Sequence, residues 1–303
     1  MENLGYTKRL YILPFDHRAT FAQKIFNKKS ISDLTNQEYQ LITQYKKIIY
    51  GAFKKSVQNE IPKEYGAILI DEEFGDEILK DAKEKGFVTI LTTEKSGQNE
   101  LEFQYGDDFP AHIEKYNPDF VKVLIKYNPA DPEGLKNRQK GKLKIVSDFC
   151  RVKNFKFLLE VLVIPTKEQL GQPQGSKEQF DKLLRPGLTV EVIKELQAHG
   201  VEPDVWKLEG FDSKDEYKEI VDAARADGRS SVGLVILGRG ENEEKVAEWL
   251  QIGSKVTGVI GFAVGRTVFW QEILDFRNGI KTQEETINAI SRNFTDFYKI
   301  FTS

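Results

Sequence analysis

Short apolar runs alternate with longer amphipathic stretches along the whole chain, and eight such runs stand out. Residues 9–15, Arg-Leu-Tyr-Ile-Leu-Pro-Phe, end at Asp16-His17-Arg18. Gly66–Ile70 ends at Asp71-Glu72, and Phe87–Thr92 at Glu94-Lys95-Ser96-Gly97. Phe120–Ile125 ends in the turn signal Lys126-Tyr127-Asn128-Pro129. Phe155–Ile164, Val205–Glu209, Ser231–Leu237 and Val256–Val264 complete the set. Each is too short for a helix and too continuously apolar for a half-exposed strand, so each reads as a strand covered on both faces. Between them apolar residues recur at helical spacing. In 36–57 these are Tyr39, Ile42, Tyr45, Ile49, Ala52 and Phe53, with Asn36 as the expected N-cap. The same reading predicts helices over 19–27, 75–85, 107–116, 132–152, 177–199, 213–227, 241–253, 267–276 and 282–301. Strands alternating with helices predict a parallel sheet, and eight units predict a closed (β/α)8 barrel with extra helices near both ends. The competing open, doubly wound sheet loses its dinucleotide-binding version, because no Gly-x-Gly-x-x-Gly follows the first strand.

Composition changes this picture little. At 303 residues with 40% apolar content, the chain suits one barrel domain over 1–303, and no Pro/Gly/Ser-rich linker divides it. Residues 1–8 are polar and expected to be frayed or lightly docked. Acidic residues (47) barely outnumber basic ones (44), so no global field favours nucleic acid or an anionic membrane. The basic run Lys136-Asn137-Arg138-Gln139-Lys140 reads as one solvated helix face. Neither a membrane span nor a secretory leader is visible. The single cysteine, Cys150, has no partner within the chain, which fits a reducing cytoplasm.

The chemistry lies in the exceptions to the apolar strands. Lys122, Glu160 and Lys207 fall on the fourth, fifth and sixth runs. Side chains alternate along a strand, so Leu158, Glu160 and Leu162 share one face, and Val205, Lys207 and Glu209 another. Inward residues of one barrel layer come from alternate strands, which places Lys122 and Lys207 in one layer and Glu160 between them in the next. Two ammonium groups that close repel, and a nearby carboxylate ferries protons. An amine nucleophile with a proton carrier is the equipment of a Schiff-base aldolase. The opposing reading is a buried ion pair that only positions the barrel; buried pairs are poor stabilisers, which counts against it.

Two strand ends carry glycine and arginine: Gly238-Arg239-Gly240 after the seventh strand and Gly265-Arg266 after the eighth. Barrels commonly bind phosphate there, through backbone N–H groups and a helix N-terminus. Asp16 and Lys95, at the ends of the first and third strands, face the same mouth and are candidates for binding hydroxyls or moving protons. Arg18 is a candidate for a second anionic group. His17, His112 and His199 are too dispersed for a zinc site; a magnesium site from Asp71, Glu72, Glu160 or Glu209 is the metal alternative.

From about residue 9 to 300 the chain resembles the aldolase-like domain fused behind bacterial 5-dehydro-2-deoxygluconokinase. The likeness is carried by Pro14-Phe15-Asp16-His17-Arg18, Glu94-Lys95-Ser96-Gly97, Asp119-Phe120-Val121-Lys122-Val123-Leu124, Leu159-Glu160-Val161-Leu162-Val163, Glu202-Pro203-Asp204-Val205-Trp206-Lys207-Leu208-Glu209-Gly210, Leu237-Gly238-Arg239-Gly240 and Gly261-Phe262-Ala263-Val264-Gly265-Arg266. More distantly it is similar to class I tagatose-1,6-bisphosphate aldolases. That resemblance implies a Schiff-base lysine at Lys207 and a catalytic glutamate at Glu160. It implies further site positions at Asp16, Arg18, Lys95 and Lys122, and phosphate binding at Gly265 and Arg266. His17 stands where the tagatose enzymes have glutamine, and Gly238-Arg239-Gly240 where they have a serine-containing turn. The implied reaction is cleavage of 6-phospho-5-dehydro-2-deoxygluconate to dihydroxyacetone phosphate and malonate semialdehyde, without a cofactor or metal. The rival functions are a tagatose- or fructose-bisphosphate-type aldolase, a barrel isomerase and a non-catalytic phosphosugar sensor. The last helix, 282–301, is expected either to cap the barrel or to pack on a second copy in a homo-oligomer.

Overall fold

The computed structural model describes residues 4–171 and 176–303. Its strands are β1 (Leu10–Pro14), β2 (Gly66–Ile70), β3 (Val88–Thr92), β4 (Phe120–Lys126), β5 (Lys156–Leu162), β6 (Val205–Glu209), β7 (Gly233–Leu237) and β8 (Val259–Ala263). They pair in parallel in chain order, and β8 pairs back with β1, so the sheet closes. The helices are α1 (Ala19–Phe26), α2 (Asn36–Asn59), α3 (Glu72–Glu84), α4 (Phe109–Tyr116), α5 (Glu133–Lys153), α6 (Lys167–Leu170), α7 (Lys177–Leu183), α8 (Arg185–Ala198), α9 (Lys214–Arg225), α10 (Glu243–Gly253), α11 (Arg266–Arg277) and α12 (Gln283–Thr302). None among the described residues is long and apolar enough to cross a membrane.

Alternation sorts each strand into two cores. Leu10, Ile12, Ala67, Leu69, Ile90, Phe120, Leu158, Val205 and Val235 fill the barrel interior. Their neighbours, among them Leu13, Ile68, Val121, Leu159, Trp206, Ile236 and Phe262, pack outward under the helices. Burying each large side chain stabilises the fold by roughly 1.5–3 kcal/mol. The seam between β8 and β1 leaves no room for a side chain at Gly261, where a Cβ would lie 1.8 Å from the Leu10 carbonyl oxygen. α12 lies over that seam, with Phe301 against Tyr11 and Phe262, and Ser291 bonded to Ser56 of α2 at 2.9 Å. It is therefore a helix of the barrel wall.

Two local expectations need correction. Thr35, not Asn36, caps α2: its hydroxyl accepts from the Glu38 N–H at 3.2 Å, while the Glu38 carboxylate accepts from the Thr35 N–H at 2.7 Å. The single helix expected over 177–199 breaks at Leu184, because Pro186 in the first turn of α8 has no N–H with which to continue a helix. Gly5 and Tyr6 take the docked alternative expected for the N-terminal segment. The Gly5 N–H donates to Asp204 at 2.8 Å, the Tyr6 N–H donates to the Ser231 carbonyl at 2.8 Å, and the Tyr6 ring packs on Phe120. This segment plugs the N-terminal end of the barrel. Residues 1–3 lie outside the described residues.

Candidate active site

The opposite end of the barrel carries the charge. On β4 the inward residues are Phe120, Lys122 and Leu124, so the strand that seals the interior also points an ammonium at its upper end. Lys122 is 1% exposed, and three carboxylates surround its Nζ: Asp16 Oδ2 at 2.8 Å, Glu94 Oε1 at 2.6 Å and Glu160 Oε2 at 3.0 Å. Burial alone favours a neutral amine; Asp16, Glu160 and Glu94 outweigh it and hold the group well above the usual lysine range.

Lys207, on β6, is also buried, but it pairs with one carboxylate: its Nζ lies 2.7 Å from Glu160 Oε2. Glu160 is the ladder partner of Lys207, whereas Lys122 is level with Leu158, one inward position lower on β5. Along the ladder the two lysines are two residues out of step, and the stagger of roughly one residue per strand in an eight-stranded barrel brings them to one layer, with Glu160 between them. The glutamate reaches both amines. Burial pushes its carboxyl up, and Lys122 and Lys207 together bring it below its ordinary value. Asp16 behaves alike: burial raises it, but Lys122, His17 and Lys207 hold it well below the carboxylate range.

His17 and Arg18 leave β1 in different directions. The His17 ring stands against Phe269, and its Nδ1 is buried with no hydrogen-bond partner. Burial, against Asp16 and with Arg266 and Lys207, pushes the imidazole down to about 4, so it is neutral at neutral pH. Arg18 is 2% exposed and clamps the loop after β3, donating to the Glu94 carbonyl at 2.5 Å and to Gln104 at 3.2 Å. Lys95 sits on that loop, half-exposed and paired with Glu102 at 2.9 Å.

The glycine–arginine ends of β7 and β8 meet each other. Arg239 has φ +53°, and its guanidinium contacts Asp181 and Glu209, each at 2.7 Å. Two carboxylates thus already occupy the arginine expected to hold phosphate. Arg266 Nη2 donates to the Arg239 carbonyl at 2.9 Å. At Gly265 a Cβ would lie 2.3 Å from the Pro14 carbonyl oxygen, so its glycine is required by the close approach of β1. Gly238 packs against Val264.

A cavity of about 210 Å³ opens over the floor and is lined by Asp16, His17, Arg18, Glu94, Lys95, Lys122, Glu160 and Lys207. It runs toward the loop after β3 and the end of β4. Gly238, Arg239, Gly265 and Arg266 stand outside its lining, on the other side of the mouth. The magnesium candidates are dispersed: Asp71 is paired with Lys46, Glu72 with His112 and Lys115, and Glu209 with Arg239. Among the described residues no group of three His, Cys, Asp or Glu is arranged to hold a metal ion. The sequence reading missed Glu94 as a site residue. Its neighbour Lys95 drew the attention, and only the pairing of Thr92 with Lys122 brings that strand end to the floor.

Over residues 3–303 the sequence matches the family described as "Uncharacterized protein conserved in bacteria (DUF2090)". It is 29% identical over 162 residues to the tagatose 1,6-diphosphate aldolases of Listeria monocytogenes (serotype 4a) and Listeria innocua, covering 52% of this chain and 46% of theirs. The chain spans about half the length of these curated relatives. Among solved structures, an archaeal fructose 1,6-bisphosphate aldolase superposes with a TM-score of 0.55 at 12% identity, covering 96% of this chain and 95% of the other. The fructose-bisphosphate aldolase of Slackia heliotrinireducens gives 0.53 at 11% identity, covering 94% and 86%. At such identities the likeness is one of fold.

Proposed function

The chain belongs to the DUF2090 family, and from the geometry of its pocket we propose that it is a class I aldolase acting on a phosphorylated keto sugar or keto sugar acid. The observation that carries this reading is the unequal pair of buried lysines. Lys122 is fixed as a cation by three carboxylates, while Lys207 has one partner, Glu160, at 2.7 Å. Only a neutral amine attacks a carbonyl, and of the two lysines Lys207 has the fewer carboxylates around it.

In this reading Glu160 takes a proton from Lys207, and the neutral Nζ attacks the ketone carbon. The carbonyl oxygen leaves as water, and an iminium cation forms in a floor that carries an excess of carboxylate. A base then removes the proton of the hydroxyl β to the iminium carbon. The bond between the α and β carbons breaks, its electron pair passes to the iminium, and an aldehyde departs from the resulting enamine. Protonation of the enamine carbon and hydrolysis restore the amine. Glu160 and Asp16 are the proton carriers, and Lys122 stabilises negative charge as it develops on oxygen. Gly265 and Arg266, with Gly238 beside them, take the phosphate. Arg18 and Lys95 shape the other side of the pocket, and Arg239 braces the phosphate side through Glu209 and Asp181.

The Listeria relatives favour a bisphosphate. The resemblance to the deoxygluconokinase-linked domain favours 6-phospho-5-dehydro-2-deoxygluconate. A cleavage assay with both substrates in EDTA tests the class. Aldehyde release that persists in the chelator and disappears in Lys207→Ala is expected; activity that chelation abolishes and Mg²⁺ restores would replace this reading with a metal-dependent lyase.

A further inference from the structure

The inner cavity points away from the phosphate side, and the charges along it are unevenly matched. Lys95 is paired with Glu102 at 2.9 Å, and Glu100 is paired with Arg138 at 2.8 Å. Arg18 is 2% exposed and spends its guanidinium on the Glu94 carbonyl and Gln104. Lys122 and Lys207 are held by the floor carboxylates. Lys126, the last residue of β4, differs from all of these. It lines the cavity, it is half-buried, and among the described residues it forms no ion pair. Its Nζ donates to a neutral amide oxygen, Asn99 Oδ1, at 2.8 Å. Its position is fixed from below, where Gln139 donates to its carbonyl at 3.0 Å.

We propose that Lys126 receives a carboxylate on the end of the substrate remote from the phosphate. The assignment rests on the aldolase reading, favours its keto sugar acid branch, and names the residue that meets the acid. Lys126 follows Lys122 and Leu124 on the same inward face of β4, about 13 Å above Lys122 along the strand. An extended sugar chain and a lysine stem together fill such a gap. The group bound is a carboxylate and not a second phosphate. One ammonium beside one amide matches a monoanion, whereas a dianion would meet Glu100 and Glu102, which line the same rim. The floor cannot take the acid, because three carboxylates there already face two ammoniums.

The test runs the reaction in the direction of condensation, with dihydroxyacetone phosphate as donor and aldehydes of similar length as acceptors. Malonate semialdehyde carries a carboxylate, glyceraldehyde 3-phosphate a phosphate, and glyceraldehyde no charge. Wild-type enzyme and Lys126→Gln are compared by kcat/KM, and borohydride trapping of the donor on Lys207 is followed in both. Losing one charge-assisted contact is expected to lower kcat/KM for malonate semialdehyde about tenfold, mostly through KM, and to leave glyceraldehyde unchanged. Lys126→Arg should recover part of the loss. Equal trapping with unchanged selectivity in Lys126→Gln would overturn the role of Lys126 and leave the aldolase reading standing. A loss confined to glyceraldehyde 3-phosphate would make Lys126 a phosphate ligand and overturn the carboxylate assignment. No trapping in either protein would remove the Schiff-base reading, and this inference with it.

Discussion

Lys122 on β4 and Lys207 on β6 approach the same oxygen of Glu160, at 3.0 and 2.7 Å, and both are almost wholly buried. What separates them is the company each keeps. Lys122 adds Asp16 and Glu94; Lys207 adds no further carboxylate among the described residues. Burial by itself does not mark a nucleophile. Lys46 makes the point: it is 0% exposed, burial lowers its pKa against the pull of Asp71, and it packs behind the barrel against Phe21 and Phe74, off the cavity. A buried amine becomes a reagent when it faces a cavity and has few enough anionic partners to give up its proton.

The comparison breaks most directly at Lys207. Lys207→Ala should lower kcat for aldol cleavage by about 10⁴ or more, as removal of a covalent nucleophile does, and chemical denaturation should show a comparatively small loss of stability, because Glu160 keeps Lys122. Lys122→Met should add a large loss of stability to its loss of activity. Asp16, Glu94 and Glu160 are then left crowded without their shared cation, and unfolding by urea at pH 7 should show a loss of roughly 3–5 kcal/mol. That deficit should shrink toward pH 5, as the unpaired carboxyls become protonated in the folded state. Glu160→Gln removes the carboxylate common to both lysines; kcat should fall about 10²–10³-fold while trapping on Lys207 remains detectable after longer incubation.

The smallest effect is expected at His17, which lines the same cavity as both lysines. Its folded pKa, about 4, is below the ordinary value of 6.5, so the unfolded chain binds more protons between these values. Its contribution is present above pH 6.5 and is lost as pH falls toward 4. His17→Gln should therefore flatten the fall in stability between pH 7 and 5, by about 1–2 kcal/mol once the partial exposure of the ring is allowed for.

Much of the fold was legible because barrel strands are short, apolar on both faces and punctuated. Gly66–Ile70 and Val205–Glu209 coincide with observed strands. Runs such as 155–164 read too long, since apolar residues continue into the connections beyond Lys156–Leu162. Lys207, Glu160 and Lys122 stood out for a physical reason: charge inside an apolar strand is costly. Glu94 and Lys126 did not stand out. Both follow or end a strand, where charge is cheap, and their place at the cavity depends on register between strands. Nor did spacing reveal that Arg239 is held by Glu209 and Asp181, which come from β6 and α7.

The central claim is that β6 and not β4 supplies the Schiff-base amine. Borohydride reduction in the presence of dihydroxyacetone phosphate, followed by peptide mass analysis, tests it at the residue itself. The account predicts a reduced adduct on the peptide containing Lys207 and an unmodified Lys122. An adduct on Lys122, or no adduct in protein that demonstrably binds the donor, would contradict it.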